Sequence, residues 1–278
     1  MIAFFTVMAL PLLACLLMVL IHPPLGQHVL ARGVIFVDLA LAQIAALGAS
    51  LALLLGHEPH DPAMYIFSFA FALGGAALFS FLWDRHHSVL QEAFIGISFA
   101  VATAGTLLML ANSPHGAEHV QGILSGESLG WVTKQDIFMM AIPYSLVGLF
   151  LFLKHRTLFF CSSDPDGATR QGISLRWWDF FFYTAFAFVV TDSVKVAGVL
   201  AVFSFLIVPM VCATLLGFKG RARLFWSWGI GLAVCLLGSV VSYWKDLPMG
   251  ATIVGLFGAI VALISISARI RRVNPQGM

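Results

Sequence analysis

The chain has 278 residues, of which 60% are hydrophobic and only 10% are charged, and its mean hydropathy is +0.96. Soluble domains are far less apolar, so this composition excludes a soluble globular protein. The formal net charge of +2 at pH 7 says little by itself, and no nucleic-acid partner is expected.

Apolar runs of about 17–25 residues recur along the whole chain, and each is long enough to cross a ~30 Å hydrocarbon core. The sequence therefore predicts an all-α, polytopic helical membrane protein with about eight or nine transmembrane helices, forming a single domain over residues 1–278 in the lipid bilayer. The first run lacks the basic start and the small-residue cleavage site of a removable signal peptide. In chain order, the predicted spans are 2–21, 34–56, 63–83, 94–111, 137–153, 177–191, 195–216, 224–243 and 250–268.

The region 177–216 is ambiguous, because only the segment Thr191-Asp-Ser-Val-Lys195 interrupts some 40 mostly apolar residues. Basic residues flank the region on both sides, at Arg176 and at Lys219. Positively charged loops stay on the cytoplasmic side, so the chain must cross an even number of times between them. We therefore predict two spans here.

The distribution of basic residues also predicts the orientation. If the N-terminus lies outside and the C-terminus lies in the cytoplasm, the inner loops hold 12 of the 15 Lys and Arg residues. Only Lys134, Lys195 and Lys245 then fall outside. The inner residues are Arg32, Arg85, Lys154, Arg156, Arg170, Arg176, Lys219, Arg221, Arg223, Arg269, Arg271 and Arg272.

A polar island at 161–176 separates two long apolar runs and has the signals of a short helix. Asp164 is a good N-cap, and Pro165 follows at the first helical position. Asp166 complements the positive end of the helix, and Gly172 can adopt the left-handed conformation that ends it. The predicted orientation places this island in the cytoplasm, where it could bind a soluble partner. An ordinary capped loop helix is the alternative.

Two polar residues fall inside the second predicted span. Asp38 lies about one turn from its cytoplasmic end and is a candidate for a transport pathway or for a structural role at the interface. Gln43 lies deeper and suits an interhelical hydrogen bond. Small residues at four-residue spacing predict close helix packing, at Ala42, Ala46 and Ser50 in the second span and at Gly96, Ala100 and Ala104 in the fourth.

Histidine and acidic residues cluster in two predicted outer loops, and such side chains suit zinc and related divalent ions. A polar loop without metal is the alternative. The pattern H-x-x-E-H in the second loop does not indicate a protease, because proline and glycine beside it oppose the regular helix that such a site needs. The four cysteines form no CxxC pair, and no GxxxxGK[ST] phosphate loop is present. The candidate metal ligands are His57, His60, His115, Glu118 and His119.

Several sequence blocks resemble, in order, the permease subunit of the ABC importers for zinc, manganese and iron. The blocks are Pro24-Leu-Gly26 leading into 38–48, Gln91-Glu-Ala-Phe-Ile-Gly-Ile97, 164–172, Ser193-Val-Lys-Val-Ala-Gly-Val-Leu200 through Ile207-Val-Pro209, and Leu247-Pro-Met-Gly-Ala-Thr252. The resemblance implies a permease homodimer in a bacterial inner membrane, two copies of a separate ATP-binding subunit and an extracytoplasmic metal-binding protein. It also implies that the 164–172 segment couples to the ATPase, with Asp164, Pro165, Asp166, Gly167, Ala168 and Gly172 as the coupling residues.

The chain departs from this family on the second span. Members commonly carry an Asp and a His, four residues apart, that line the ion path, and the matching positions here are Leu39 and Gln43. Asp38 is one residue away from the family's acidic position, which turns it by about 100° on a helix. Asp38 and Gln43 could form a variant path, or the substrate could be a different ion or a chelate.

These features predict a non-catalytic permease subunit without a cofactor, in an ATP-driven importer for a divalent metal such as zinc, manganese or iron. Two alternatives stay open at this stage. An ion-coupled secondary transporter would need buried ionisable residues, for which Asp38 is the candidate. A non-transporting membrane scaffold would show packing stripes without a path.

Overall fold

The computed structural model of the chain describes residues 2–57, 61–81, 88–111 and 127–273. These ranges contain nine α-helices, one 3₁₀ turn at Glu127–Trp131 and no β-strand. The helices are α1 (Ile2–Arg32), α2 (Val37–Leu54), α3 (Pro62–Phe81), α4 (Ser88–Leu110), α5 (Lys134–Ser163), α6 (Pro165–Arg170), α7 (Leu175–Leu215), α8 (Gly220–Lys245) and α9 (Met249–Val273).

Eight of these helices are long and apolar enough to cross a membrane, and the short α6 is the exception. The predicted all-α polytopic class, with eight or nine transmembrane helices, is confirmed. The spans themselves are longer than their apolar runs in two places. Helix α5 continues ten residues beyond the predicted end at 153, to Ser163. The helix therefore extends past the end of the apolar run.

Helix α1 also runs beyond its predicted end at 21 and includes Pro23 and Pro24. A proline inside a helix removes the hydrogen bond to the carbonyl four residues earlier, which usually ends or kinks the helix. Here the carbonyl of Leu20, which Pro24 leaves without a helical donor, accepts a hydrogen bond of 3.2 Å from the indole Nε1 of Trp228 on α8. A side chain of another helix thus satisfies a backbone group that the prolines release.

The predicted interruption of the region 177–216 is present, but it lies at Gly198 rather than at Thr191–Lys195. Helix α7 is 41 residues long, and its backbone leaves the helical conformation only at Gly198, where φ is 76° and ψ is 162°. A straight helix of that length would extend about 60 Å, twice the hydrocarbon thickness. Polar residues are compatible with a helix interior, whereas only glycine adopts this positive φ without strain. Residues 191–195 therefore belong to the helix.

The chain folds into two compact units, with boundaries after Gln27 in α1 and after Lys195 in α7. In the unit of residues 28–124 and 138–195, α2 packs against both α3 and α4. Glycines permit this approach: a Cβ at Gly48 would lie 2.5 Å from the Phe67 carbonyl oxygen, and a Cβ at Gly105 would lie 2.8 Å from Leu47. The small residues of α2 predicted to pack are buried, at Ala42, Ala46 and Ser50, whereas those of α4 are exposed in this chain, at Gly96, Ala100 and Ala104.

The other unit comprises residues 1–27, 125–137 and 196–278. Val19 of α1 packs on Gly231 of α8, and Ile253 of α9 packs on Gly238 of the same helix. The rings of Phe205 and Phe257 meet edge to face, with centroids 5.3 Å apart. Apolar side chains that pack on glycines of α8 thus form one part of the core of this unit.

Candidate functional site

The polar island folds as the sequence predicts at both of its ends. The side chain of Asp164 accepts a 2.9 Å hydrogen bond from the backbone N–H of Gly167, which caps the first turn of α6, and Pro165 stands at the first position. At the other end Gly172 has a φ of +77°. The N–H of Ile173 then donates to the carbonyl of Ala168 at 3.1 Å. The predicted short helix with a defined start and end is therefore confirmed.

The island itself is shorter than predicted. Cys161 and Ser162 are buried residues of α5, so the polar connection begins at Asp164 rather than at position 161. Within α6, Gly167 and Ala168 are buried, so one face of the helix is covered. An exposed face remains, formed by Asp164, Asp166, Thr169 and Arg170. This face carries both acidic and basic groups and is available to a soluble partner.

A buried polar cluster lies beside this segment, and no sequence pattern predicted it. The Nη1 of Arg32 donates to Oδ1 of Asp179 at 2.7 Å, and the two side chains are 1% and 8% exposed. The Nε of Arg32 donates to Oγ of Ser162 at 3.0 Å. The guanidinium also lies over the ring of Phe182, 4.1 Å from its centroid. The sequence predicted an inner loop for Arg32 from its positive charge alone. No short sequence pattern links Arg32 to Asp179.

Asp38 occupies the second position of α2 and is 1% exposed. One carboxylate oxygen accepts a 2.8 Å hydrogen bond from the backbone N–H of Leu39. The other oxygen is buried and has no hydrogen-bond partner among the described residues. A buried carboxylate oxygen without a donor is costly, and such groups commonly serve a function.

Gln43 is also buried, at 4% exposure. Five residues separate it from Asp38, which places the two side chains about 140° apart around the helix. They therefore do not share one face of α2. A path that passes Asp38 does not meet Gln43 on the same side of the helix.

Glu92 of α4 is a second acidic group in this region. The sequence analysis included it in the block that begins at Gln91 but did not predict a role for it. Its Oε1 accepts a 3.1 Å hydrogen bond from the backbone N–H of Phe36, directly before α2. Its Oε2 is buried and lacks a hydrogen-bond partner within the described ranges. Glu92 lies close enough for its charge to act on Asp38. The start of α2 thus brings together two carboxylates from different helices.

A further polar group lies in the first half of α7, where a loop was predicted. The hydroxyl groups of Tyr144 and Ser193 are hydrogen-bonded to each other. The ammonium of Lys195 lies 2.9 Å from the centroid of the Tyr65 ring and attracts the carboxylate of Asp192. Lys195 was predicted to lie in an outer loop, whereas it is a partly buried helical residue. A mostly apolar cavity of about 600 Å³ between α3, α5 and α7 has Asp192 in its lining.

Of the predicted outer metal ligands, His57 alone lies among the described residues. The Nδ1 of His57 lies 3.2 Å from Oδ2 of Asp61, and both side chains are partly exposed. The backbone N–H of Ala63 donates to Oδ1 of Asp61, which lowers the pKa of this carboxyl. His60, His115, Glu118 and His119 lie outside the described residues. Within the described part of the chain, no three His, Cys, Asp or Glu side chains are grouped as metal ligands.

Comparison with known proteins places this architecture in a family. The sequence model of the ABC 3 transport family matches residues 4–269, almost the full length. The chain belongs to the ABC 3 transport family. Its members are membrane permeases of ABC transporters, a class in which the permease works with an ATP-binding subunit and a substrate-binding partner.

Individual relatives are similar over most of the chain. A probable iron transport system membrane protein of Haemophilus influenzae is 29% identical over 198 residues, which are 69% of this chain and 70% of that protein. The manganese transport system membrane protein MntB of Synechocystis is 25% identical over 201 residues, or 72% of this chain and 65% of that protein.

A solved structure has the same fold. The structure described as PsaBC from Streptococcus pneumoniae in complex with Fab contains a chain that matches with a TM-score of 0.79. The match covers 99% of this ABC 3 chain and 100% of the other, at 18% sequence identity. Since the identity is so low, this match establishes the fold alone.

Proposed function

We propose that this ABC 3 permease is the membrane subunit of an ATP-driven importer for a divalent metal ion, such as manganese, iron or zinc, in a bacterial inner membrane. The observation that carries the proposal is the capped helix α6 between two membrane-spanning helices, with one face covered and the other exposed. The permease itself is non-catalytic. ATP hydrolysis takes place on a separate subunit, which binds the exposed face through the segment 164–172.

The assembly follows from the number of coupling segments. One chain carries one α6, whereas ABC importers use two ATP-binding subunits, so a permease homodimer with two ATPase copies is proposed. An extracytoplasmic metal-binding protein delivers the substrate. The cytoplasmic position of α6, with the N-terminus outside and the C-terminus inside, belongs to the same proposal and rests on the distribution of basic residues. A single permease domain over residues 1–278 is proposed as well, and it comprises both compact units.

The metal is proposed from two lines of support. Relatives of this chain carry the names of iron and manganese transport proteins. The buried carboxylate oxygens of Asp38 and Glu92 that lack hydrogen-bond donors in the described structure are the hard donors that manganese and iron(II) accept. Asp38 is therefore the proposed pathway residue, whereas Gln43 is a weaker candidate because it faces another side of α2. The outer residues His57, His60, His115, Glu118 and His119 remain proposed as a capture site.

Metal uptake tests this function and its pathway residue together. In a strain that lacks other importers, the wild-type permease should restore ATPase-dependent uptake of manganese, iron or zinc. Asp38→Asn should lower that uptake at least about tenfold, since it removes the negative charge from the start of α2 at nearly constant size. Gln43→Leu should have a smaller effect because the amide is neutral.

The matched control for uptake is Ser50→Ala. Ser50 is a buried polar residue of the same helix, and its hydroxyl donates to the Ala46 carbonyl within that helix, so uptake should persist. Uptake that persists without the ATPase but needs an ion gradient would instead establish a secondary transporter. Normal uptake in Asp38→Asn, at wild-type protein level, would remove Asp38 from the path.

Topology is tested by cysteine labelling. The four native cysteines are buried, so the single-cysteine variants are prepared in a background without them. Single cysteines at His60 and Glu118 should then react with an impermeant maleimide from outside. Cysteines at Arg170 and Arg221 should react only after the membrane is opened. Labelling of position 170 from outside would contradict the binding of a cytoplasmic ATPase at α6.

A further inference from the structure

The side chain of Arg32 binds both ends of the connection that carries α6. Ser162 lies two residues before the N-cap Asp164, and Asp179 lies in the second turn of α7 after that connection. The Nε of Arg32 donates to Ser162 at 3.0 Å, and Nη1 donates to Asp179 at 2.7 Å. A single residue at the end of α1 therefore joins the end of α5 to the beginning of α7. We call Arg32, Ser162 and Asp179 the clamp.

The surroundings of the clamp restrict its geometry. The hydroxyl of Ser162 donates to the Leu158 carbonyl at 2.8 Å while it accepts from Arg32. The Nδ1 of His28 lies 3.1 Å from the same oxygen. The guanidinium is held on its other side by the ring of Phe182. A buried ion pair with this many neighbours resists rearrangement, because its separation would leave an uncompensated charge in a dry environment.

The use of two nitrogens requires arginine rather than lysine. The guanidinium is planar and presents Nε and Nη1 in a fixed fork, so it can bind two partners in one geometry. The ammonium of a lysine is a single charged centre and could pair with Asp179 without holding Ser162 in the same arrangement. The structure thus distinguishes a two-ended clamp from a simple ion pair.

We propose that Arg32 is a positioning residue that transmits the movement of the coupling helix to α1. The inference rests on the proposed docking of an ATPase on α6. When the ATPase displaces α6, both ends of its connection pull on one side chain, and the end of α1 that carries Arg32 moves with them. Without the clamp the ATPase still binds and hydrolyses ATP, but the movement is not passed on.

The test compares hydrolysis and transport in one preparation. The permease is co-purified with its ATPase, reconstituted with the metal-binding protein and supplied with manganese. Asp179→Asn and Arg32→Lys should retain the ATPase and hydrolyse ATP. The amount of manganese moved per ATP should fall at least about fivefold, the change that a coupling free energy of about 1 kcal/mol produces. Asp179→Glu keeps the carboxylate and should recover most of that ratio.

Control variants separate coupling from folding. Arg156→Gln removes an exposed charge from the same half of α5 and should leave the ratio unchanged. If Arg32→Lys does not accumulate, Asp179→Asn keeps size and shape, and Ser162→Ala removes only one end of the clamp. A ratio that stays at the wild-type value in these variants would overturn the clamp. So would hydrolysis and transport that decline together with the amount of folded complex.

The same experiment distinguishes the two proposals. A wild-type permease that retains no ATPase would refute the proposed function. A wild-type complex that couples hydrolysis to uptake, together with clamp variants that couple equally well, would refute the clamp and leave the proposed function intact.

Discussion

Replacing Ala168 by proline should abolish binding of the ATPase while the permease stays in the membrane. The N–H of Ala168 donates to the Asp164 carbonyl at 3.0 Å, and a proline cannot make this bond. A proline in a helix interior costs about 3 kcal/mol, which a helix of six residues cannot absorb. We expect the ATPase recovered with an affinity-tagged permease to fall at least about tenfold, a loss of ~1.4 kcal/mol or more.

The control for this variant is Ser267→Pro, which places a proline in the interior of another helix, at an exposed position of α9 outside the coupling segment. Its ATPase recovery should match the wild type. If Ala168→Pro also retains the ATPase at the wild-type level, α6 is not the docking element. If both variants lose it, the effect reflects general damage by proline.

Adding one methyl group at Gly48 should destabilise the permease. The Cβ of Gly48→Ala would lie 2.5 Å from the Phe67 carbonyl oxygen and 2.9 Å from Phe71 Cβ, so α2 and α3 must separate. Such overpacking costs about 1–3 kcal/mol. The gain in helix propensity, roughly 1 kcal/mol, offsets part of it. We expect a lower thermal midpoint for the purified permease in detergent.

Gly74→Ala is the matched control for Gly48→Ala. Gly74 lies on α3, and a Cβ there would meet no atom within 4 Å. It gains the same propensity without the clash, so its midpoint should equal or exceed the wild type. Equal midpoints for the two variants would mean that the helices are not in the close contact described above.

The helices were predictable because lipid imposes a minimum apolar length on each span. That rule does not report where a helix ends outside the hydrocarbon. It therefore missed the continuation of α1 to Arg32 and of α5 to Ser163. It also located a loop at Thr191–Lys195, since polar residues interrupt hydropathy, whereas the backbone departs from a helix at Gly198. Hydropathy measures the cost of contact with lipid. It therefore does not predict whether a polar residue that contacts other helices lies in a helix or in a loop.

The coupling helix was predictable for a different reason. Its cap at Asp164 and its termination at Gly172 depend on contacts within a few residues, which a local pattern records. The clamp could not be read in this way, because 147 positions separate Arg32 from Asp179. Asp38 was noticed as a charge in an apolar run. The oxygen of Asp38 that has no hydrogen-bond partner within the described ranges, and the proximity of Glu92, became visible only with α2 and α4 in place.

The hydrogen bond between Trp228 and the Leu20 carbonyl has a consequence for how this protein can evolve. While Pro24 is present, the loss of the indole strands a carbonyl in a nonpolar medium. Once position 24 regains an N–H, the same loss is tolerated, because the helix supplies its own donor. Loss of Trp228 is therefore tolerated if Pro24 is replaced first, and it destabilises the helix if Trp228 is lost first. We therefore expect relatives that lack tryptophan at position 228 also to lack proline at position 24.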